Sequence, residues 1–179
     1  MLKKTRTFGS LLLLVASLAG TLSVTALAFG DNAPTAVLDG HSISTREVPR
    51  YHCDDAAYPV IRCFENAADR DEDVLSFFPS SGSDLEATID GLTAASYVTW
   101  YDAINYGGSS FTASVSYADL GSIGWSNRIS SFKSQNGGRP KWWQDANFAG
   151  TSWRWLAGAQ VPDVGVSAND QFSSVANVP

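Results

Sequence analysis

The sequence predicts an all-β domain in which two similar halves pack together as an antiparallel sandwich. A twelve-residue pattern at residues 100–111 returns at residues 142–153, and each copy is followed by a short polar closing segment, at 126–131 and at 169–174. Two units of about 40 residues are too few for a solenoid, so we expect them to form the halves of one domain. Short strands punctuated by glycine turns, without helices, favour a sandwich.

The elements of the repeat region follow from local patterns. Residues 97–102 mix aromatic and β-branched residues, and residues 110–116 alternate beyond a glycine turn, which predicts a hairpin. Residues 136–138, Asn-Gly-Gly, predict a turn between the two copies. The largest side chains predict the position of the core, and all six tryptophans lie in this region: Trp100, Trp125, Trp142, Trp143, Trp153 and Trp155.

Residues 1–28 have the pattern of a secretory signal peptide. A basic start precedes an apolar run at residues 11–18, and the Ala-Leu-Ala sequence at 26–28 is a small-x-small cleavage site. The apolar run is shorter than the roughly 20 residues that a membrane-spanning helix needs. We therefore expect a secreted, extracellular protein that begins near Phe29 and is free of the membrane after cleavage.

The mature chain is expected to be strongly acidic. The signal peptide holds three of the twelve basic residues and none of the eighteen acidic ones, so its removal changes the formal charge from -6 to 9 - 18 = -9. A chain with this charge repels nucleic-acid phosphates, which argues against a nucleic-acid partner. The same charge favours the binding of cations.

Cys53 and Cys63 are the only cysteines of the chain. In an exported protein an even number of cysteines predicts a disulfide. A structural zinc site would need further ligands, and the chain has only two histidines, His41 and His52. The cysteines are therefore expected to be bonded to each other.

The chain before the repeat is expected to have two parts. Residues 29–50 are polar and contain proline and glycine without an apolar period, which predicts a flexible arm. Residues 51–94 are expected to contain a short strand at 58–64 and a helix over 65–78, held together by the disulfide. The role of this segment is open from sequence: it caps the sandwich, supplies a binding surface or serves a specific partner.

The repeat resembles a known motif. An aromatic residue, six further residues and a glycine run from Tyr101 to Gly108 and again from Trp143 to Gly150. Together with the polar closing segments, this spacing resembles the Greek-key motif of the βγ-crystallins. The resemblance implies a βγ-crystallin-like sandwich of two Greek-key motifs over residues 95–179, with motifs at 97–135 and 139–178, preceded by a small disulfide-stapled strand-helix segment.

Four residues have structural roles by this resemblance. Gly108 and Gly150 would let each hairpin fold over sharply, where a Cβ atom would clash or force a disfavoured φ. Ser131 and Ser174, the last residues of the closing segments, would hydrogen-bond to the folded hairpins.

The second closing segment fits the calcium-binding form of the motif, which is two Asx residues, two variable residues, Ser or Thr, and Ser. The resemblance implies that one Ca²⁺ ion binds to Asp170, the carbonyl of Gln171 and the hydroxyl of Ser173. A carbonyl near Ala103 or Ile104, on the other motif's hairpin, would complete the site. These are the oxygen ligands that calcium accepts, and the fitting sequence is Asn169, Asp170, Gln171, Phe172, Ser173 and Ser174.

The first closing segment departs from this pattern. Ser126 stands where the first Asx residue is expected, and the remaining ligands would be Asn127, the Arg128 carbonyl and Ser130. This site lacks a carboxylate and carries a nearby positive charge, so it should bind calcium more weakly. The alternative is that both segments only satisfy the backbone of their own loops.

These observations predict a secreted, non-enzymatic calcium-binding protein. The alternative on the same fold is an inhibitor of extracellular metalloproteinases, or a toxin-like protein, with an extracellular protein such as a protease as its partner. Serine hydrolase chemistry would need one of the two histidines, and the chain has no Gly-x-Ser-x-Gly elbow. The acidic run at residues 69–73 is expected to be a solvated helix face.

Overall fold

The computed structural model of the chain describes residues 33–77 and 96–176. The expected signal peptide and the ends of the other expected regions lie outside these residues. The described residues before the repeat form four strands, a 3-10 helix and an α-helix: β1 (Thr35–Leu38), β2 (His41–Ile43), the 3-10 helix Thr45–Arg50, β3 (His52–Ala57), β4 (Val60–Phe64) and α1 (Ala67–Phe77).

The repeat region is built from short strands and 3-10 turns. The predicted hairpin is confirmed, with Trp100 paired opposite Phe111. The elements are β5 (Tyr97–Tyr101), the 3-10 helix Ile104–Tyr106, β6 (Ser110–Ala113), the 3-10 helix Leu120–Ile123, β7 (Ser131–Gln135), β8 (Lys141–Asp145), β9 (Ala149–Arg154), β10 (Gln160–Val161) and β11 (Ser174–Ala176).

Two sheets form the sandwich that the sequence predicts. One contains β10, β7, β5 and β6 in this order, and the other contains β11, β8 and β9. Strand β10 comes from the second half of the repeat but pairs with β7 of the first half, with Gln160 opposite Lys133. In return, Tyr117 of the first half forms a bridge with Val175 of β11. The second half therefore contributes a strand to the first half's sheet, and the first half contributes one bridging residue to the second half's sheet. The all-β fold class is confirmed.

The core between the sheets is built around three fully buried tryptophans, Trp100, Trp125 and Trp142. The Trp100 ring meets Trp142 edge to face at 5.5 Å and stacks on Phe111 at 5.0 Å. Aromatic pairs of this kind stabilise a core beyond the area that they bury. The prediction that the tryptophan-rich region forms the core is correct, although three tryptophans are only partly buried: Trp143, Trp153 and Trp155.

The expected flexible arm is wrong for residues 33–50. Strand β1 pairs in parallel with β4, and Ala36, opposite Ile61, is buried. Val48 in the 3-10 helix is fully buried, and Ser44 and Glu47 cap the start of that helix reciprocally. This regular structure is fixed by backbone pairing of β1 with β4, a strand about 25 residues further along the chain. Local composition cannot reveal such a partner.

The amino-terminal segment (residues 33–77) continues the first sheet of the sandwich. Strand β3 pairs in parallel with β6, with Cys53 opposite Phe111. The sheet then continues through β4, β1 and β2, so that eight strands run from β10 to β2. The disulfide between Cys53 and Cys63 joins β3 to β4, as predicted. The segment therefore covers the edge of β6, which would otherwise expose unpaired backbone groups.

The predicted helix is confirmed as α1. Asn66 precedes it and accepts a hydrogen bond from the Asp69 amide at 3.0 Å, which satisfies one of the open donors of the first turn. Arg70 and Val74 are the buried residues of the helix. Asp73 of the acidic run pairs with Arg62 of β4. The other acidic residues face solvent as expected: Asp69, Asp71 and Glu72.

None of the helices within residues 33–77 and 96–176 has the length and apolar character that a membrane crossing requires.

Candidate functional site

The two copies of the repeat fold into matching hairpins. In the first folded hairpin (residues 101–110), Asn105 and Tyr106 have φ values of 56° and 62°. In the second (residues 143–152), Asn147 and Phe148 have φ values of 58° and 60°. Residues other than glycine rarely adopt this left-handed conformation. The same unusual backbone at equivalent positions shows that the sequence repeat is also a structural repeat.

The glycines predicted to allow the sharp fold occupy positions that require glycine. Gly108 and Gly150 have φ values of 73° and 76°. A Cβ atom at Gly108 would clash with the Asp102 carboxylate, and one at Gly150 would clash with the Asp145 carboxylate. Both the conformation and the lack of space therefore exclude a side chain.

The last serine of each closing segment binds its folded hairpin, as expected. The Ser131 hydroxyl donates to the Ala103 carbonyl at 2.6 Å and accepts from the Tyr106 amide at 3.1 Å. The Ser174 hydroxyl donates to the Asp145 carbonyl at 2.7 Å and accepts from the Phe148 amide at 3.1 Å. These paired contacts hold both hairpins against the ends of β7 and β11.

The two closing segments interlock across the halves of the domain. Asn127 and Asp170, at the second position of each segment, have φ values of 57° and 55°. The Asn127 amide donates to the Phe172 carbonyl at 2.8 Å, and the Asp170 amide donates to the Ile129 carbonyl at 3.2 Å. The second position of each segment thus lies beside the fourth position of the other segment.

This interlock regroups the predicted ligands of the second segment. The Ser173 hydroxyl donates to Asn127 Oδ1 at 3.3 Å and lies 2.9 Å from the Ser126 hydroxyl, so its side-chain partners belong to the first segment. Asp170 is instead linked through its amide to Ile129, one residue before Ser130. The expected set of Asp170, Gln171 and Ser173 around a single ion stays a prediction, and these contacts suggest a cross-copy alternative to it.

The carbonyl of Asp102, directly before the expected Ala103 or Ile104 carbonyl, contacts a candidate ligand serine, and the expected carbonyl stays a prediction. The Ser130 hydroxyl donates to the carbonyl of Asp102 at 3.1 Å. The Ala103 carbonyl accepts from Ser131, and the Ile104 carbonyl accepts from the Gly107 amide, so both are engaged within the folded hairpin. Asp102 is a candidate site residue that was not predicted from sequence, where its only signal is its position directly before the expected carbonyl.

Two candidate oxygen sites are each built on one observed contact, Ser130 with Asp102 or Ser173 with Asn127, and extended by oxygens that the motif and the backbone interlock imply. We define the Ser130 site as the Ser130 hydroxyl, the carbonyls of Asp102 and Arg128, and the Asp170 carboxylate. The Ser173 site consists of the Ser173 hydroxyl, the Asn127 side-chain oxygen and the Gln171 carbonyl. Asn169 donates from its side chain to Asp170 Oδ2 at 3.0 Å and so orients the carboxylate.

In each site one hydrogen-bonded pair of oxygens has a separation that would also suit two ligands of one calcium ion. Two ligands about 2.4 Å from one ion and separated by about 80–90° lie about 3.1–3.4 Å apart. The oxygen pairs at 3.1 Å and 3.3 Å match this separation. Within residues 33–77 and 96–176, no three His, Cys, Asp or Glu side chains cluster to hold a metal. The donors are instead hydroxyl, amide and backbone oxygens, a set suited to a hard cation.

Arg128 adds a positive charge beside the Ser130 site. Its guanidinium group pairs with the Asp102 carboxylate at 3.2 Å and lies over the Trp125 ring at 5.8 Å. The positive charge near this site is expected from the sequence, whereas the pairing of Arg128 with Asp102 is not. Arg128 thus neutralises the side-chain carboxylate of Asp102, whose backbone carbonyl is a candidate ligand.

A second polar cluster joins the amino-terminal segment to the sandwich. The Ser110 hydroxyl lies 2.8 Å from His52 Nδ1 and accepts from Arg70 at 2.8 Å. Burial lowers the pKa of His52, and the positive charge of Arg70 lowers it further. Ser110 is fully buried, so this serine-histidine contact serves to join three elements rather than to present a nucleophile.

Two adjacent aspartates of β3 are fully buried. Asp55 accepts from the amide and the hydroxyl of Ser114 and from the Tyr117 hydroxyl, at 2.6, 2.8 and 2.9 Å. Burial raises the pKa of Asp55, and these hydrogen bonds oppose the increase. Burial also raises the pKa of Asp54, to about 7. The hydrogen bonds of Asp55 fasten β3 to the repeat domain at a second point.

The chain is similar in sequence to solved structures of βγ-crystallin domains. It is 33% identical to a double mutant of a βγ-crystallin domain from Clostridium beijerinckii, over 45% of this chain and 93% of that one, with a TM-score of 0.41. The βγ-crystallin domain from the same organism is 32% identical over 44% and 93%, with a TM-score of 0.40. A βγ-crystallin from an archaeon is 26% identical over 47% and 99%, with a TM-score of 0.42. No family model matches the chain, and no curated protein does.

Sequence identity and the repeated motif, not the TM-scores, show the family of this chain. The identity to the clostridial domain extends over 93% of that domain. The paired hairpins, glycines and closing serines of this chain have the geometry that the motif requires. The chain belongs to the βγ-crystallin superfamily.

Proposed function

We propose that the protein is a secreted, non-enzymatic calcium-binding protein whose ions bind at the Ser130 site and the Ser173 site. The observation that carries this proposal is the interlock of the closing segments, which brings the Ser173 hydroxyl of the second half to 3.3 Å from the side-chain oxygen of Asn127 in the first half. An ion bound there would link the halves. It would stabilise the folded domain by mass action, because the unfolded chain lacks the assembled donors.

The two sites are expected to differ in affinity. The Ser130 site includes the Asp170 carboxylate, whereas the Ser173 site has only the neutral side chains of Asn127 and Ser173. Calcium affinity increases with the number of charged ligands, so the Ser130 site should be the stronger one. The stronger site therefore combines the carboxylate of the second segment with the serine of the first.

The test is calorimetric titration of the mature protein with Ca²⁺, together with its melting temperature in calcium and in chelator. Asp170→Asn removes the charge and keeps a residue type that tolerates a φ of 55°. It should weaken the tighter binding event, because affinity falls with the number of charged ligands, whereas Asn127→Ala should weaken the other one. Glu72→Gln, on the solvent face of α1, is the control for net charge. No heat and no rise in melting temperature with calcium would refute the proposal.

Secretion is tested separately. The mature protein should accumulate outside the producing cell with an amino terminus near Phe29. Amino-terminal sequencing of the recovered protein reports this directly, and a retained residue 1 would contradict the expected cleavage.

Inhibition of an extracellular metalloproteinase is the second candidate, and the β3–β4 hairpin favours it. This hairpin is closed by the Cys53–Cys63 disulfide, and Tyr58 near its tip is 46% exposed. A rigid, exposed turn is a suitable shape for binding to a protease cleft because little entropy is lost on binding. Incubation with a thermolysin-like protease is the test. An unchanged hydrolysis rate at excess of this protein would discard the idea.

A further inference from the structure

One side chain connects the Ser130 site to the amino-terminal segment. Arg128 belongs to the first closing segment, and its guanidinium group binds the Asp102 carboxylate at 3.2 Å. The same nitrogen donates to the carbonyl of Pro49 at 3.4 Å. Pro49 lies in the 3-10 helix Thr45–Arg50 of the amino-terminal segment. Arg128 is thus shared between the candidate ion site and the segment that extends the sheet.

The amino-terminal segment fits closely against the sandwich at this point. Gly124 has a φ of 76°, and a Cβ atom there would come within 2.9 Å of Pro49 Cγ. Val48 and Pro49 are both buried. The amide of Ser110 donates to the carbonyl of Tyr51 at 3.4 Å, where the segment enters its pairing with β6. Residues 48–51 therefore form the joint between the segment and the domain.

The charges of the groups determine whether a bound cation strengthens or weakens the hydrogen bonds of Arg128. A cation held by the Asp102 carbonyl and the Ser130 hydroxyl would lie close to the carboxylate of the same aspartate. It would attract that carboxylate and repel the guanidinium group of Arg128. The hydrogen bonds of Arg128 to Asp102 and to Pro49 would then weaken together.

We infer that Arg128 couples calcium binding at the Ser130 site to the docking of residues 48–51 against the sandwich, so that each weakens the other. This inference rests on the proposed function. Because coupling free energies are reciprocal, a docked joint lowers calcium affinity to the same extent that bound calcium loosens the joint. The amino-terminal segment is therefore a regulator of the ion site as well as an extension of the sheet.

The test compares the full mature protein with its Arg128→Gln variant. Calorimetry measures the Ca²⁺ dissociation constant, and hydrogen exchange measures the amides of Tyr51 and Ser110 with and without calcium. In the variant, calcium should bind more tightly by about threefold or more, since a like charge has been removed. In the wild type, calcium should speed exchange of the two amides, and in the variant this effect should disappear. Arg139→Gln, at an exposed arginine, is the control.

The outcomes separate this inference from the proposed function. If the wild type binds calcium but Arg128→Gln changes neither affinity nor the calcium effect on exchange, the coupling is refuted and calcium binding stands. If calcium binds only to Arg128→Gln, the coupling is supported and the proposed function of the natural chain is refuted. If neither protein binds calcium, both are refuted.

Discussion

The Oγ atom of Ser110 on β6 lies 2.8 Å from Nδ1 of His52 on β3, so that one hydroxyl group joins the crystallin sheet to its amino-terminal extension. Arg70 of α1 donates to the same oxygen at 2.8 Å. The Ser110 hydroxyl can accept from Arg70 and at the same time donate its proton to Nδ1 of a neutral His52. Burial and the Arg70 charge, which lower the pKa of His52, favour this neutral form.

Ser110→Ala should destabilise the protein by about 1–3 kcal/mol, because it leaves the buried guanidinium of Arg70 and the ring nitrogen of His52 without this partner. Urea denaturation measures the change in the free energy of unfolding. Ser76→Ala removes an exposed serine from α1 and should change stability by less than about 0.5 kcal/mol. Equal effects of the two substitutions would show that the Ser110 hydroxyl does not fasten the segment.

The pH dependence of stability should report on Asp54. Burial raises the pKa of Asp54 to about 7, and the charge of Asp73 acts in the same direction. The aspartate of an unfolded chain ionises near pH 4, so between about pH 4 and about pH 7 the folded state binds more protons. Stability should therefore fall as the pH rises through this window, by up to about 1.4 kcal/mol per pH unit.

Asp54→Asn isolates this contribution. The asparagine oxygen can still accept from the Ala56 amide, which donates to Asp54 Oδ1 at 3.0 Å, but it does not titrate. The variant should show a shallower decrease in the free energy of unfolding between about pH 4 and about pH 7. Glu72→Gln, on the exposed face of α1, should leave the slope of the wild type unchanged. Parallel curves for Asp54→Asn and the wild type would contradict the assignment.

The sandwich could be predicted from sequence because its signals are local and occur twice. The hairpin at β5 and β6, the glycines Gly108 and Gly150, and the tryptophan core all follow from short patterns. The regular structure of residues 33–50 could not be predicted in the same way. Strands β1 and β3 are fixed by parallel pairing with β4 and β6, and such pairs join segments that are distant in sequence.

The candidate site was predictable in its residue types but not in its grouping. The closing segments show which oxygen-bearing residues are available. The contact of Ser173 with Asn127 depends on how the two halves dock, and neither segment alone contains that information. The same is true of Asp102, which joins the site through the Ser130 hydroxyl and through Arg128.

Gly108 and Gly137 offer a matched pair for testing the folded hairpin. Both have a left-handed backbone, with φ values of 73° and 74°. A Cβ atom at Gly137 would meet nothing within 4 Å, whereas one at Gly108 would clash with the Asp102 carboxylate. Gly137→Ala therefore measures only the conformational cost, which is about 1–2 kcal/mol for an L-residue.

Gly108→Ala should cost at least about 1 kcal/mol more than Gly137→Ala, because Asp102 must also move. That movement would disturb the pairing of Asp102 with Arg128 and the carbonyl that accepts from Ser130. Calcium affinity should therefore fall in Gly108→Ala and stay unchanged in Gly137→Ala. Thermal unfolding with and without calcium measures both effects. If both variants lose the same stability and retain the same calcium affinity, the close approach of the Asp102 carboxylate to Gly108 has no role in the site.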